Sequence, residues 1–324
     1  MYPAKGDLAM YNVSEPGALV GTVPGLLSYS PTRSLIVHLI GKNQLIIAAM
    51  VIGLDKARGD GSRVADLASR ESAVAVAITI VDESAVTGSH APLIDEFAAA
   101  MLRRGIGVTQ VVLVDRIAEG GRWWRADGCV GSGVLDDPST SPVAAEAMAR
   151  GRRIYRSRKD LLAVVAVDVS RAEAFAALLR RVAGPVDAAR ASAALAEAFE
   201  RLEADEQVGD EVLAVLAVSL GDVGVRDHLL AVSATGDIGL ALGVWLDIAR
   251  CTTSGLRAEA LSVAAACAYL LNDSGLASVA LESARATQPG HSFSELLSRA
   301  LSVGIRPKEL GQMLASLAPS PASG

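Results

Sequence analysis

Between Pro31 and Leu54 the chain reads PTRSLIVHLIGKNQLIIAAMVIGL, two apolar runs of strand length joined by Gly41-Lys42-Asn43. Turn chemistry between two such runs specifies a β-hairpin. In the first run Leu35, Val37 and Leu39 alternate with Ile36, His38 and Ile40. Both faces are therefore apolar, the pattern of a central strand buried on two sides. A sheet must form around this stretch. Because hairpin strands run antiparallel, that sheet is expected to be mixed.

The flanking segments fit the same plan. Ser14 before Glu15-Pro16 reads as a helix N-cap, and Gly21, Pro24 and Gly25 should break the helix that follows, which reaches about Ser28. Val64, Leu67 and Ala68 predict a helix of about two turns. Ala73–Val81 (AVAVAITIV) predicts a strand, His90–Arg104 an amphipathic helix, and Gly107–Asp115 a further strand. Gly120-Gly121-Arg122-Trp123-Trp124 predicts a turn into a short edge strand, with one tryptophan in the core and the other exposed. Gly128–Thr140 reads as loop. Ser141-Pro142 opens a helix ending near Gly151, and Ser157-x-x-Asp160 reads as a capping box. Beyond Val169 only helical patterns remain, at about 170–183, 187–204, 209–220, 225–233, 236–250, 255–271, 275–287, 292–303 and 306–316.

This alternation predicts a mixed-sheet α/β domain over residues 1–168, an all-helical domain over 169–318 and a frayed tail at 319–324. The helical part resembles tetratricopeptide packing at one place. Counting back from Pro289, small or packing positions fall on Leu261, Ala264, Ala265 and Ala268 of one helix and Ala277, Leu281 and Ala284 of the next. One such unit also arises in any alanine-rich helical hairpin.

Composition limits function. At 51% hydrophobic and 20% charged the chain of 324 residues is globular, and with aromatics at 4% its core must be filled by Ala, Val and Leu. Every apolar run stops short of the roughly 20 residues of a spanning helix, so no membrane association is expected. The N-terminus lacks a basic segment followed by an apolar one, so no signal peptide is expected. Three scattered cysteines, Cys129, Cys251 and Cys267, fit reduced thiols in the cytoplasm. A net charge of −6 argues against general nucleic-acid binding.

No nucleotide fingerprint is present: Gly105-Ile106-Gly107 precedes a strand and lacks the third glycine, and neither G-x-x-x-x-G-K-[ST] nor G-x-S-x-G occurs. The histidines His38, His90, His228 and His291 stand apart, so no metal site and no cofactor are expected. His38, on an apolar strand face, reads as a hydrogen-bonded core or edge histidine rather than a catalyst. Asp222-Val-Gly-Val-Arg226-Asp227 admits two readings: an anion-binding Arg226 with Asp222 as acid or base, or a helix cap with structural ion pairs. Arg150, Arg152, Arg153, Arg156, Arg158 and Lys159 put six basic residues in ten around Tyr155, a local positive patch for phosphate, RNA or an acidic partner.

Several of these segments together resemble the domain of unknown function 4192 family. They are V-P-G-L-L-S-Y at 23–29, P-T-R-S-L-I-V at 31–37, V-L-V-D at 112–115 and G-R-W-W at 121–124, then S-P-V-A-A-E-A-M-A-R-G-R at 141–152 and S-R-K-D-L at 157–161. D-V-G-V-R-D at 222–227 and the helical stretch ending in A-T-Q-P complete the set. The resemblance implies an actinobacterial cytoplasmic protein and brings no activity with it. The family often carries a cysteine cluster after the W-W segment, where only Cys129 stands here. The arginines at 150, 153 and 156 are particular to this chain.

The reading favoured by these observations is a non-enzymatic module binding a protein or peptide in a helical groove. The alternative is an enzyme or small-ligand binder with a polar site between the two domains, where Arg33, Asp115, Arg122, Asp222 and Arg226 would be sought. Nucleic-acid contact through residues 150–159 is a weaker alternative. Oligomeric state is left open.

Overall fold

The computed structural model describes residues 14–84, 89–182 and 186–317. The tail at 319–324 and the first thirteen residues lie outside them. The chain divides into two compact units, one holding residues up to Asp160 together with Ser302–Gly304, the other Leu161–Leu301 and Ile305 onward.

The first unit is built on six strands: β1 (Ser34–Ile40), β2 (Ile46–Gly53), β3 (Ala75–Val81), β4 (Gly107–Val114), β5 (Arg122–Arg125) and β6 (Ser132–Val134). Their order is β2-β1-β3-β4-β5-β6. β1 is antiparallel to both neighbours, β3 and β4 are parallel, and the rest are antiparallel, so the sheet is mixed as expected. Every residue of β1 is buried, as its two-faced apolar pattern requires.

Helices α1 (Pro16–Gly21), α2 (Val23–Leu27), α3 (Gly61–Arg70) and α4 (Ala91–Leu102) accompany the sheet, α2 packing on the helix Pro142–Ala149 and the 3-10 turn that follow the strands. Leu35, Val37, Leu39, Ile78 and Ile80 form one core with Val64 and Ala68 of α3 and with Phe97 and Met101 of α4. α1 packs on β4 and β5. Its N-cap is Glu15 rather than Ser14: the Glu15 carboxylate accepts from the backbone N–H of Gly17 at 3.0 Å and from that of Ala18. A longer acid reaches back over the Pro16 at the helix start and satisfies two orphan donors at once.

Two expectations fail at the far side of the sheet. β5 is not an edge strand, because Ser132–Val134, read as loop, pairs along its outer side. A three-residue strand bounded by glycines carries too little periodicity to be visible in sequence. Its existence depends on Gly133, where a Cβ would lie 2.7 Å from the Trp123 indole. The tryptophans do point to opposite faces, but both are half-buried. Trp124 packs on the α3–α4 side, while Trp123 lies across Gly133. Strands this short cannot fully cover either ring.

Beyond the sheet follow a 3-10 turn at Pro138–Thr140, then α5 (Pro142–Ala149) and α6 (Arg158–Val164). The second unit holds α7 (Val169–Arg181), α8 (Ala188–Glu203), α9 (Asp210–Ser219), α10 (Val223–Thr235), α11 (Ile238–Cys251), α12 (Ser254–Leu270) and α13 (Ser274–Thr287). α14 (Ser292–Ser302), apart from its last residue, and α15 (Pro307–Ala315) complete it. No strand occurs among its described residues. Asp168, Asp187, Asp222, Asp237 and Asp273 each cap a helix by accepting the N–H three residues on, at 2.8–3.1 Å.

α12 and α13 form the hairpin picked out by the repeat template. Leu261, Ala264, Ala265, Ala268, Ala277, Leu281 and Ala284 are all fully buried. The small side chains let the helix backbones approach closely, so an Ala277→Leu variant is expected to lose about 1–3 kcal/mol in chemical denaturation, from overpacking. α12 is buried at every position from Ala260 to Tyr269, that is, on all sides. It is a core helix, packed by α11, α13 and α15, and presents no side to a bound peptide.

No helix among the described residues is long and apolar enough to cross a membrane.

Candidate functional site

An open cleft of about 770 Å³ lies in the first unit. That volume falls in the range of small-molecule sites. One wall is the segment Gly151–Arg156, following α5. The rest of the lining comes from the loop after β4 (Ile117–Glu119), the 3-10 turn with its preceding Asp137, and Pro24, Ser30 and Met148.

Local chemistry sets the basic wall. Ser141 caps α5 by accepting from Ala144 N at 3.2 Å. At the other end Gly151 adopts φ 78°, its N–H reaches Met148 O at 2.9 Å, and Arg152 N reaches Ala147 O at 3.0 Å. This glycine-dependent pair of bonds stops the helix and redirects the chain. The redirected segment runs beside residues 28–30: Tyr155 N donates to Ser28 O at 2.8 Å, and Tyr29 and Tyr155 form a parallel bridge. Arg152 Nη2 donates to Gly25 O at 2.9 Å. Gly25 is obligatory there, since a Cβ would lie 2.6 Å from the Ala144 backbone nitrogen.

The six basic residues at 150–159 thereby separate into groups. Arg152, Arg153 and Arg156 line the cleft. Arg153 and Arg156 are exposed, and neither forms an ion pair among the described residues. The Arg153 guanidinium lies 5.3 Å from the centre of the Tyr155 ring. Arg150 is drawn instead to Glu146 at 2.6 Å, and it lies outside the lining, as do Arg158 and Lys159. Asp160 N donates to the Ser157 hydroxyl at 3.2 Å and the hydroxyl donates to the Asp160 carboxylate at 2.9 Å, which caps α6.

The acidic residues of the cleft, Glu119 and Asp137, escaped the sequence reading. Asp137 accepts from Ser139 N at 2.9 Å, and that backbone N–H holds its carboxyl below the ordinary range. The only sequence signal was Asp-Pro-Ser, a common turn composition.

None of the five dispersed candidates lines this cleft. Arg33, Asp115 and Arg122 belong to the first unit and share one end of the sheet. Ser34, Val81 and Val114 are in register there, and Asp115 N bonds Arg122 O at 3.0 Å. Asp115 is committed to its own turn: it accepts from Arg122 N at 2.9 Å and pairs with Arg116 at 3.1 Å. Arg33 is exposed at φ 44°. At the same sheet end Asp82, after β3, accepts from Ser84 N and its hydroxyl and lies 3.0 Å from His90 Nε2. Ser84 and His90 outweigh burial and hold the Asp82 carboxyl below its usual value.

Asp222 and Arg226 lie in the second unit. Asp222 caps α10, accepting from Val225 N at 3.0 Å. Arg226 is buried between carboxylates, 2.6 Å from Asp227 and 3.3 Å from Glu259, and stacks on the Phe293 ring at 4.5 Å. His291 Nε2 stands 3.1 Å from the same Glu259. Of the two readings of Asp222–Asp227, this geometry is the cap with structural ion pairs. His38 is fully buried, with Nε2 3.3 Å from the Thr79 hydroxyl, and desolvation lowers its pKa to about 4. Cys251 and Cys267 are buried thiols whose pKa desolvation pushes up to about 12, too high for nucleophilic use. Among the described residues no three His, Cys, Asp or Glu side chains are placed to hold a metal ion.

The molecule thus belongs to the class of two-unit proteins that pair a mixed α/β sheet carrying an open cleft with an all-helical unit. A family model described as Domain of unknown function (DUF4192) matches residues 16–308, and the chain belongs to that family. No curated protein and no solved structure matches the chain.

Proposed function

We propose that this protein binds a small anionic molecule in the cleft of its first unit. The observation that carries this reading is the pair Arg153 and Arg156, aligned on one concave wall without a carboxylate partner. Exposed arginines normally find ion pairs or solvent. Here the Schellman turn at Gly151 and the bridge to Tyr29 hold them along a cleft. Pro24, Ile117, Pro138 and Ile154 supply apolar contact for an organic body.

Nucleic acid suits the segment less well, since Arg150 is neutralised by Glu146 and the same cleft carries Glu119 and Asp137. A peptide groove on the α12–α13 hairpin has little support, because α12 is enclosed. The three free thiols support a reducing, cytoplasmic setting.

Calorimetric titration of the full chain with pyrophosphate tests the proposal. Each charge-assisted contact contributes about 1.5–3 kcal/mol, so Arg153→Ala with Arg156→Ala is expected to weaken binding at least about tenfold. The unliganded melting temperature should stay unchanged, both side chains being exposed. Absence of binding by the native chain, or equal binding by the double variant, overturns the proposal.

A further inference from the structure

The cleft carries both signs of charge. Arg152, Arg153 and Arg156 of the 151–156 segment and the acids Glu119 and Asp137 line the same concavity. Opposite charges in one concavity ordinarily close on each other. Yet among the described residues none of Arg153, Arg156, Glu119 and Asp137 forms an ion pair. Asp137 engages Ser139, through its backbone N–H at 2.9 Å and its side chain, and Glu119 is exposed. The 3-10 turn holds Asp137 on its side, and the bridge at Tyr155 holds the arginines on theirs.

Building on the anion-binding reading, we infer that the ligand is a small dipolar molecule, with a phosphate or carboxylate for the arginine wall and an ammonium for Glu119 and Asp137. A purely anionic ligand would set its charge against two carboxylates. A ligand with a cationic end instead satisfies both walls and displaces the solvent that separates them. The apolar lining residues Pro24, Ile117, Pro138 and Ile154 suit a short carbon linker, and the Tyr155 ring lies 5.3 Å from the Arg153 guanidinium.

The test is an isosteric pair of probes, 2-aminoethyl phosphate and 2-hydroxyethyl phosphate, titrated calorimetrically into the full chain. One charge-assisted contact predicts about tenfold tighter binding of the amine. In Glu119→Gln with Asp137→Asn that advantage is expected to fall to within about twofold, the hydroxyl probe binding no worse than before. Glu119→Gln alone, at an exposed side chain, keeps the test usable if the double variant fails to fold, with a partial loss of the advantage expected. Equal binding of the two probes by the native chain, or an advantage that survives these substitutions, overturns the inference. Pyrophosphate binding separates that failure from failure of the anion reading. Vesicles of phosphatidylethanolamine distinguish a lipid headgroup carrying the same chemistry: co-sedimentation of the chain would overturn assignment to a soluble ligand.

Discussion

Acidification from about pH 7.5 to about pH 4 is expected to cost the sheet unit about 3 kcal/mol through His38 alone. The imidazole is fully buried in β1, between Ala49 and Ala77 of the flanking strands, and desolvation brings its pKa from 6.5 to about 4. Its single hydrogen-bond partner among the described residues is the Thr79 hydroxyl, and Nδ1 has none there. The unfolded chain therefore takes up a proton that the native chain refuses. The stabilising term is fully present above pH 6.5 and is lost as the pH falls towards 4. Below that range carboxylates held below their usual values, such as Asp82, begin to dominate.

Urea titrations across this range measure the effect. In a Trp245→Phe background the remaining tryptophans, Trp123 and Trp124, both report on the first unit. A His38→Gln variant keeps a partner for Thr79 but does not titrate, so its stability should fall less steeply between pH 6.5 and 4. Parallel profiles for the two proteins would show that His38 is not the titrating group.

His38 also marks what could be read before the fold was known. A histidine embedded in Leu-Ile-Val-His-Leu-Ile is surrounded by its own strand, so its burial follows from local pattern. Helix starts in the second unit were legible for the same reason, because Asp168, Asp187 and Asp273 act within one turn of chain. β6 was invisible because it exists through a long-range accommodation, the Trp123 ring over Gly133. The cleft was half legible. Arginine density announced residues 150–159, but the selection of Arg152, Arg153 and Arg156 depends on Tyr155 meeting Ser28, more than a hundred residues earlier. Glu119 and Asp137 are single acids in ordinary loops, and only the folded chain brings them into the same cleft.

Replacing Glu259 by leucine is expected to cost the helical unit about 1.5–3 kcal/mol, because it removes one of the two carboxylates that hold a nearly buried cation. Glu259 sits at the centre of a small network. Both its oxygens lie 3.3 Å from Arg226 Nη1, and Oε1 lies 3.1 Å from His291 Nε2. His291 in turn accepts from Ser294 N through Nδ1 at 3.2 Å, at the start of α14. That bond leaves the ring proton on Nε2, directed at Glu259. Without the carboxylate, Arg226 keeps only Asp227 and the face of Phe293. Its side chain is 10% exposed, too little for water to replace the lost partner. Pairing the change with Arg226→Met removes the under-compensated charge, and the double variant should recover much of the loss, since apolar replacement of a buried pair is often close to neutral. Denaturation of the two single variants and the double variant closes the cycle. A Glu259→Leu cost below about 1 kcal/mol, or strictly additive losses, would mean that these charges are solvated. A coupled result gives the D-V-G-V-R-D segment a structural meaning. Asp222 starts α10, and Arg226 spends its guanidinium on two carboxylates of its own unit.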